Sequence, residues 1–471
     1  MKIKNKILNN IEIEGIAAEG NCIARHEGQI IFVPRVAPGD ICDIRITKRK
    51  KSYLQAVPLK IHSYSKLRSE PFCEHFGTCG GCKWQHIDYQ VQLDTKQQQV
   101  VDNLERIGKV KFDKMNPIIG SEQTNYYRNK LEFTFSDSRW LTREEIDSGE
   151  DIDRSALGFH MPGRFDKILD IDHCHLQQDP SNGIRKRVKA FSIENEIPFF
   201  NLVHQTGFLR NLIIRTASTG QVMVVLQVTQ DNEEWTNAIL EMLAAEFPQI
   251  TSLNYVINNK GNDTYHDLEV VNVKGLPYIE EQMTKPDGSG KLTFRVGPKS
   301  FYQTNASQAE ILYHEAWKLA GLKGDEVVYD LYTGTGTIAN YVAGNAKKVV
   351  GVEYIDAAIE DAKVNSKINN VENTSFYAGD MKDIMTADFI AKNGAPDVII
   401  TDPPRAGMHP EVCNVLLDSN AKKIVYISCN PATQARDLAI LDVKYKIVEV
   451  QPVDMFPHTH HVENITLLEL R

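Results

Sequence analysis

The 471-residue chain carries 53 Lys and Arg against 62 Asp and Glu, a formal charge of −9, with 42% hydrophobic and 24% charged residues. That composition excludes a disordered, collagenous or coiled-coil chain, the length suggests about three domains, and the acidic balance taken whole argues against a nucleic-acid partner. No run approaches the ~18 apolar residues of a membrane span, the opening residues lack the apolar core and cleavage site of a signal peptide, and the cysteines are too few for a disulfide scaffold; a cytoplasmic protein with no membrane contact is expected.

Splitting the charge by region changes its meaning. Residues 1–70 hold 13 Lys and Arg and 7 Asp and Glu, a net of +6, which leaves −15 for the remainder. Within this basic head, alternating runs at 11–14, 30–33, 42–46 and 53–57, separated by turn residues such as Pro38-Gly39-Asp40, predict a five-strand barrel of the oligonucleotide-binding (OB) kind over 1–62. Arg45, Lys48, Arg49, Lys50 and Lys51 cluster at one strand end beside Tyr53. A phosphate-tracking groove with a stacking platform needs such a set, although a solvated strand end would carry the same charges.

A cysteine-rich turn comes next, Cys73-x5-Cys79-x2-Cys82, and Cys174 lies far downstream in Asp-His-Cys-His-Leu. Three thiolates in a glycine-containing turn plus one returning from a distant segment complete a four-thiolate site, and the spacing alone leaves zinc and an iron-sulfur cluster equally open. A polar, Gln-rich helix is expected over 88–107. Apolar runs at 131–135, 157–160, 212–216 and 222–227, with a helix over 235–247, predict a mostly antiparallel α+β central domain over 63–300; the acidic stretch 143–153 reads as a surface loop.

From 301 to 471 strands alternate with helices. Buried runs at 327–331, 348–353, 397–402 and 424–429 end in polar residues, the mark of a parallel sheet that presents its working groups at the strands' C-terminal ends. The segment Asp330-Leu-Tyr332-Thr-Gly334-Thr-Gly336 succeeds the first strand, so backbone can approach a ligand closely, and Glu353 ends the next strand, where a carboxylate can accept both hydroxyls of a ribose. A dehydrogenase and an S-adenosylmethionine (AdoMet) methyltransferase both suit this loop. Asp402-Pro403-Pro404-Arg405 separates them, being a rigid acidic turn of the kind by which many nucleic-acid methyltransferases hold a flipped base.

Cys429, in Ser428-Cys429-Asn430-Pro431, lies between a buried strand and an expected helix, whose N-terminus should lower the thiol's pKa from about 8.5. Carbon 5 of uracil is a poor nucleophile. Thiolate addition at carbon 6 generates an enolate whose carbon 5 can attack a methyl donor, and a base must then remove the carbon 5 proton; Glu463, before the final apolar run, is the candidate. The target base has to leave its stack, and the basic head can help hold the RNA around it.

Phe301-Tyr-Gln303-Thr-Asn, Asp330-Leu-Tyr332-Thr-Gly-Thr-Gly, Gly351-Val-Glu353, Asp402-Pro-Pro-Arg-Ala-Gly, Ser428-Cys429-Asn-Pro and Asp454-Met-Phe-Pro-His-Thr-x-His-x-Glu463 together resemble the RNA uracil-5-methyltransferases of the RumA/TrmA group. The resemblance covers nearly the whole chain and implies a TRAM barrel at the head and a class I, Rossmann-like AdoMet methyltransferase domain at the end. By it, Gln303, Tyr332, Glu353 and Asp402 line the AdoMet and uracil site, with Gly334 and Asp380 as further cofactor contacts; Cys429 is the nucleophile and Glu463 the proton acceptor. It also tips Cys73, Cys79, Cys82 and Cys174 towards a 4Fe-4S cluster, as in the rRNA members of the group. Thr337, where an Asn is often found, and Asp380, where a contact to the adenine end is expected, depart from the pattern. The head and the four cysteines favour 23S rRNA as the RNA partner, with a tRNA loop uridine as the alternative. Outside this class stand a NAD-linked iron-sulfur oxidoreductase and a non-catalytic RNA-binding module, neither of which uses both Cys429 and Glu463.

Overall fold

The alternating residues of the head pair into a six-stranded sheet in the order Ile7–Glu12, Ile41–Arg49, Tyr53–Ser63, Gln29–Val33, Cys22–His26, Gly15–Ile16. The computed structural model describes residues 5–471, apart from the side chain of Ala18; the first four residues of the basic head lie outside them. The expected barrel thus has one strand more than five, the two-residue Gly15–Ile16. Inward-facing Ala24, Ile31, Val33, Ile44 and Ile46 fill its core. Arg45, Lys48, Arg49, Lys50 and Lys51 are all exposed.

Asp40, buried at the barrel's edge, ties the head to the segment after it: the carboxylate accepts from Arg68 Nε at 2.9 Å and Nη2 at 2.7 Å, and from the Ala37 and Ser65 amides. Trp84, fully buried, donates Nε1 to the Gly20 carbonyl at 3.1 Å.

The Gln-rich helix spans Tyr89–Asn103, capped by the Asp88 carboxylate, and widens into one π turn, Leu104–Gly108, that ends on left-handed Lys109. Gly108 is required there, since a Cβ would lie 2.8 Å from the Ala435 carbonyl of the helix Pro431–Leu441. Both this helix and the strand Phe112–Met115 pack on the C-terminal half; the strand adds parallel to Tyr445–Val453.

The central sheet has seven strands, ordered Ile168–Asp170, Ala156–His160, Lys130–Ser136, Leu209–Thr216, Val222–Val228, Ile250–Ile257, Val270–Gly275, antiparallel except for the pair Val222–Val228 and Ile250–Ile257. Helices Ser181–Glu194 and Glu233–Glu246 cover one face, burying Ile184, Val188, Ile239 and Leu243 on Leu212, Ile214 and Val224. The other face, with Ile213, Met223 and Val225, shares a core with Val328, Ile400 and Val425 of the C-terminal sheet. Covering both faces explains why Leu209–Thr216 and Val222–Val228 are buried along nearly their whole length rather than alternately. The acidic stretch differs from the loop expected: Arg143–Ser148 is a short helix, because Thr142 and Glu145 form a reciprocal capping box, and none of its residues is buried.

The C-terminal sheet runs Thr374–Ala378, Lys348–Glu353, Val327–Leu331, Val398–Thr401, Lys423–Ser428, Glu463–Leu470, Tyr445–Val453, Phe112–Met115. The first five strands are parallel and Glu463–Leu470 enters antiparallel. This is a Rossmann-like sheet of the class I AdoMet methyltransferase type, whose order reverses between Val327–Leu331 and Val398–Thr401, where such sheets open a ligand crevice. No helix among the described residues is long and apolar enough to cross a membrane.

None of the five exposed head cations takes part in an ion pair among the described residues. If they track phosphates, replacing Lys48, Lys50 and Lys51 by Gln lowers the log-log salt slope of RNA binding by roughly 0.7 for each phosphate released, with AdoMet binding unchanged; an unaltered slope, measured by titration at several salt concentrations, removes them from the RNA interface.

Candidate active site

Four strand ends converge on the crevice. At the first, Tyr332 and Gly334 have φ of 62° and 54°, so the chain turns sharply before the helix Thr337–Ala343. A Cβ on Gly334 would meet nothing within 4 Å, whereas one on Gly336 would lie 2.9 Å from the Ala362 Cβ. Gly336 therefore serves packing, and Gly334 leaves backbone open to a ligand. Asp330, fully buried, accepts from the Thr333 hydroxyl, and burial raises its carboxyl to about 7.

Glu353 closes the second strand end, with Oε2 3.2 Å from the Gly334 amide and Oε1 3.1 Å from that of Ile355. Its two oxygens are thus fixed beside the glycine loop. Asp380 caps the four-residue helix Met381–Ile384 by accepting from the Lys382 amide at 3.2 Å. Burial first and the Asp380 charge second push the Tyr332 hydroxyl's pKa up, which places these two groups together. Thr337, at the start of its helix, is buried.

Asp402 succeeds Val398–Thr401 and donates its amide to the Leu331 carbonyl at 3.4 Å. Its side chain reaches the crevice but is walled by protein, and burial raises its carboxyl to about 7. Gln303 lies on a segment pinned from both sides: Asn129 donates Nδ2 to the Gln303 carbonyl at 3.0 Å, and Asn305 donates Nδ2 to the Met455 carbonyl at 2.9 Å. Burial, then the Asp402 charge, push the hydroxyl of neighbouring Tyr313 well up, and the Gln303 side chain opposes that shift.

The register between the last strands brings the remaining pair together. Ser428 is paired with Asn464 in the antiparallel ladder, so the next residues outward, Cys429 and Glu463, stand opposite each other. Glu463 is 4% exposed, and burial, then the Asp402 charge, raise its carboxyl to about 8. Cys429 is half-buried, and the expected lowering of its pKa is not found: burial, then the Glu463 and Asp402 charges, push the thiol up to about 11. Arg405 opposes that shift, and its carbonyl is fastened by Asn430 Nδ2 at 3.2 Å. The helix Pro431–Leu441 begins after Asn430 caps it, so its amides are engaged by Asn430 rather than by the thiol.

The four cysteines are brought into one region without their sulfurs closing into a four-ligand set. Burial raises Cys82 to about 12 and Cys174 to about 11, and each feels Cys79 and Cys73 as neighbouring charges. All are free, and Cys79, Cys82 and Cys174 pack on the central apolar core. Glu74 and His175 place ligand atoms within 4.8 Å of the Cys73 sulfur, a grouping able to hold a metal ion that the spacing of the cysteines does not disclose.

The site's outer wall is held by residues that the sequence motifs do not single out. Lys96, fully buried, forms an ion pair of 2.6 Å with Asp454, and Tyr89 donates its hydroxyl to the same carboxylate at 2.8 Å. A signal for them is present: Gln92, Lys96 and Val100 recur at helical spacing on the buried stripe of a polar helix. A separate cleft of about 580 Å³ between Phe200, Arg210, Trp235 and Lys260, on the central region, contains none of these groups.

Comparison with known proteins agrees with this geometry. Residues 212–471 match the model of the tRNA (uracil-5-)-methyltransferase family, and residues 9–59 that of the TRAM domain. The chain is 56% identical over 460 residues to an uncharacterized RNA methyltransferase of Bacteroides thetaiotaomicron, covering 97% of this chain and all of that one. It is 55% identical over 469 residues to another from Porphyromonas gingivalis, covering 97% and 99% of the two chains. A crystal structure of Pyrococcus abyssi tRNA (uracil-54, C5)-methyltransferase in complex with S-adenosyl-L-homocysteine superposes with a TM-score of 0.74 at 29% identity, covering 97% of this chain and 99% of that one.

Fold and crevice define an AdoMet-dependent RNA methyltransferase. The chain belongs to the tRNA (uracil-5-)-methyltransferase family, and is an RNA uracil-C5-methyltransferase with an N-terminal TRAM domain. The oxidoreductase and non-catalytic readings give way to it.

A carboxyl whose folded-state pKa is raised binds its proton more tightly folded than unfolded, so its contribution to stability falls as pH rises from the unfolded value, 4.5 for Glu463, to about 8. Glu463→Gln is therefore expected to raise Tm relative to the parent by an amount that grows between pH 5 and pH 8, at most by roughly 2–4 °C per kcal/mol relieved. Thermal melts in that range giving a constant or shrinking difference would contradict a buried, proton-retaining Glu463.

Proposed function

We propose that the chain methylates carbon 5 of a uridine in a tRNA loop, with Cys429 as nucleophile and Glu463 as proton acceptor. The observation that carries this reading is the ladder register that sets Cys429 across from Glu463, with Asp402 beside both. AdoMet, when bound, supplies a methyl group activated on a sulfonium. The Gly334 backbone, open to approach, and the fixed Glu353 carboxylate suit its ribose end, with Tyr332 and Asp380 beyond them and Gln303 and Asp402 nearer the base. A neutral Asp402 can donate a hydrogen bond to a uracil carbonyl as well as accept one from its imide.

Cys429 gives up its proton to solvent, and the sulfur adds to carbon 6 of the uracil, turning the C5=C6 pair into an enolate whose carbon 5 takes the methyl group. Glu463, once its own proton has passed to solvent, then accepts the carbon 5 proton. The pair from that C–H bond re-forms the C5=C6 bond, and the C6–S bond breaks with its electrons returning to sulfur.

Two findings bear on the RNA. The head and the four-cysteine region are expected to favour 23S rRNA, yet the P. abyssi tRNA enzyme matches across 97% of the chain, head included, so the head does not by itself point to rRNA. That match, with the family description, supports tRNA. Cys73, Cys79, Cys82 and Cys174 are proposed to hold a 4Fe-4S cluster rather than zinc: Cys79, Cys82 and Cys174 lie against apolar residues, which shields a cluster from solvent, and the set would tie the segment after the barrel to the distant Cys174 segment.

Labelled AdoMet with tRNA and 23S rRNA transcripts, resolved on a denaturing gel, tests the reaction. Glu463→Gln traps a covalent RNA adduct, predominantly with tRNA, and Cys429→Ala forms none; an adduct with Cys429→Ala would sink the mechanism, and exclusive labelling of 23S rRNA would overturn the substrate. For the cluster, anaerobically purified protein is expected to be brown with about four irons per chain. Stoichiometric zinc without iron refutes it.

A further inference from the structure

We infer that Lys96 and Gln92 are positioning residues for the second half of the reaction: from the helix Tyr89–Asn103 they fix the loop from Asp454 to Val462 and thereby aim Glu463 at the uracil bonded to Cys429. This rests on the reading of Glu463 as proton acceptor. Lys96 and Asp454 are wholly buried and 2.6 Å apart, and Lys96 Nζ donates in addition to the Phe456 carbonyl at 3.0 Å. Gln92 accepts the His458 amide on Oε1 at 2.9 Å and sets Nε2 3.2 Å from His458 Nδ1. On the other side the amides of Lys83 and Trp84 both donate to the His458 carbonyl, at 2.8 and 3.0 Å.

His458 is left-handed, with φ of 63°. A non-glycine residue stays in that region only where its surroundings over-determine it, and here amide, carbonyl and ring are all held by Lys83, Trp84 and Gln92, from the N-terminal part of the chain. Filling space would not require a buried ammonium, since apolar residues of similar volume serve stability as well or better. A charged hydrogen-bonded pair instead selects one loop path. That path enters the strand at Glu463, whereas Cys429 stands just beyond Lys423–Ser428, in a turn that none of these bonds touches. Loosening the loop should leave sulfur addition and methyl transfer intact and slow the step in which Glu463 takes the carbon 5 proton, the C5=C6 bond re-forms and the thiolate leaves.

The test compares Gln92→Leu, Lys96→Met and Glu463→Gln in the full-length protein with tRNA transcript and labelled AdoMet. For Gln92→Leu and Lys96→Met, kcat is expected to fall roughly 10–100-fold with KM for AdoMet within about twofold, while covalent adduct accumulates as it does in Glu463→Gln. A fall in kcat without adduct, or no fall, overturns the proposal. Should Lys96→Met fail to fold, Gln92→Leu decides alone. If Glu463→Gln accumulates no adduct, the reading of Glu463 fails and this inference with it; if it does and Gln92→Leu does not, only the positioning role is lost.

Discussion

The antiparallel return of the last strand is the constraint on which the active site depends. Glu463–Leu470 slots between Lys423–Ser428 and Tyr445–Val453, and its ladder is fixed residue by residue from Lys423↔Glu469 to Ser428↔Asn464. A slip of one position would turn every side chain of this buried strand to the other face. Register here is therefore specified by the core itself, through Ile465, Leu467 and Leu468, and Cys429 and Glu463 inherit their opposition from it. Asn464 adds a polar lock, giving Nδ2 to Gln434 Oε1 at 2.7 Å while its carbonyl accepts from Gln434 Nε2.

Burial then shapes the chemistry. Asp330, Asp402 and Glu463 are three acids within one crevice, and all have their carboxyls raised, chiefly because walled-in charge is costly. The same low-dielectric setting gives the Lys96–Asp454 pair its importance, since removing one partner from a buried ion pair costs about 3–5 kcal/mol through the charge left behind. The helix bearing Lys96 comes from the N-terminal third of the chain, as does the strand Phe112–Met115 on the edge of the catalytic sheet. The catalytic half is therefore completed by residues that precede the central seven-stranded sheet, and the two halves share one apolar core through Ile213, Met223 and Val225.

The charge distribution fits an enzyme that grips RNA at one place and recognises it by shape at another. The net −9 is an average over a head of +6 and a body of −15. The head's cations face solvent, while Lys96 of the body is committed within the protein to Asp454. An extruded base held by hydrogen bonds and stacking needs little bulk attraction.

Much is legible in the sequence because much of it is local. The sheet type is written in apolar runs with polar ends, the glycine loop in Gly334 and Gly336 after a strand, and the chemistry in Cys429, Asp402 and Glu463 as residue types. Beyond the sequence lies every property that depends on residues far apart in the chain. Thiol acidity is one: the helix start suggests a lowered pKa for Cys429, but burial, and then two carboxyls brought beside it, raise it. The partner of Asp454 is another, a lysine 358 positions earlier that local pattern shows only as one polar residue on a polar helix. Local propensity and pattern reside in consecutive residues, whereas desolvation and Coulomb interactions are set by whatever the folded chain places within a few ångströms, and only the tertiary structure decides that.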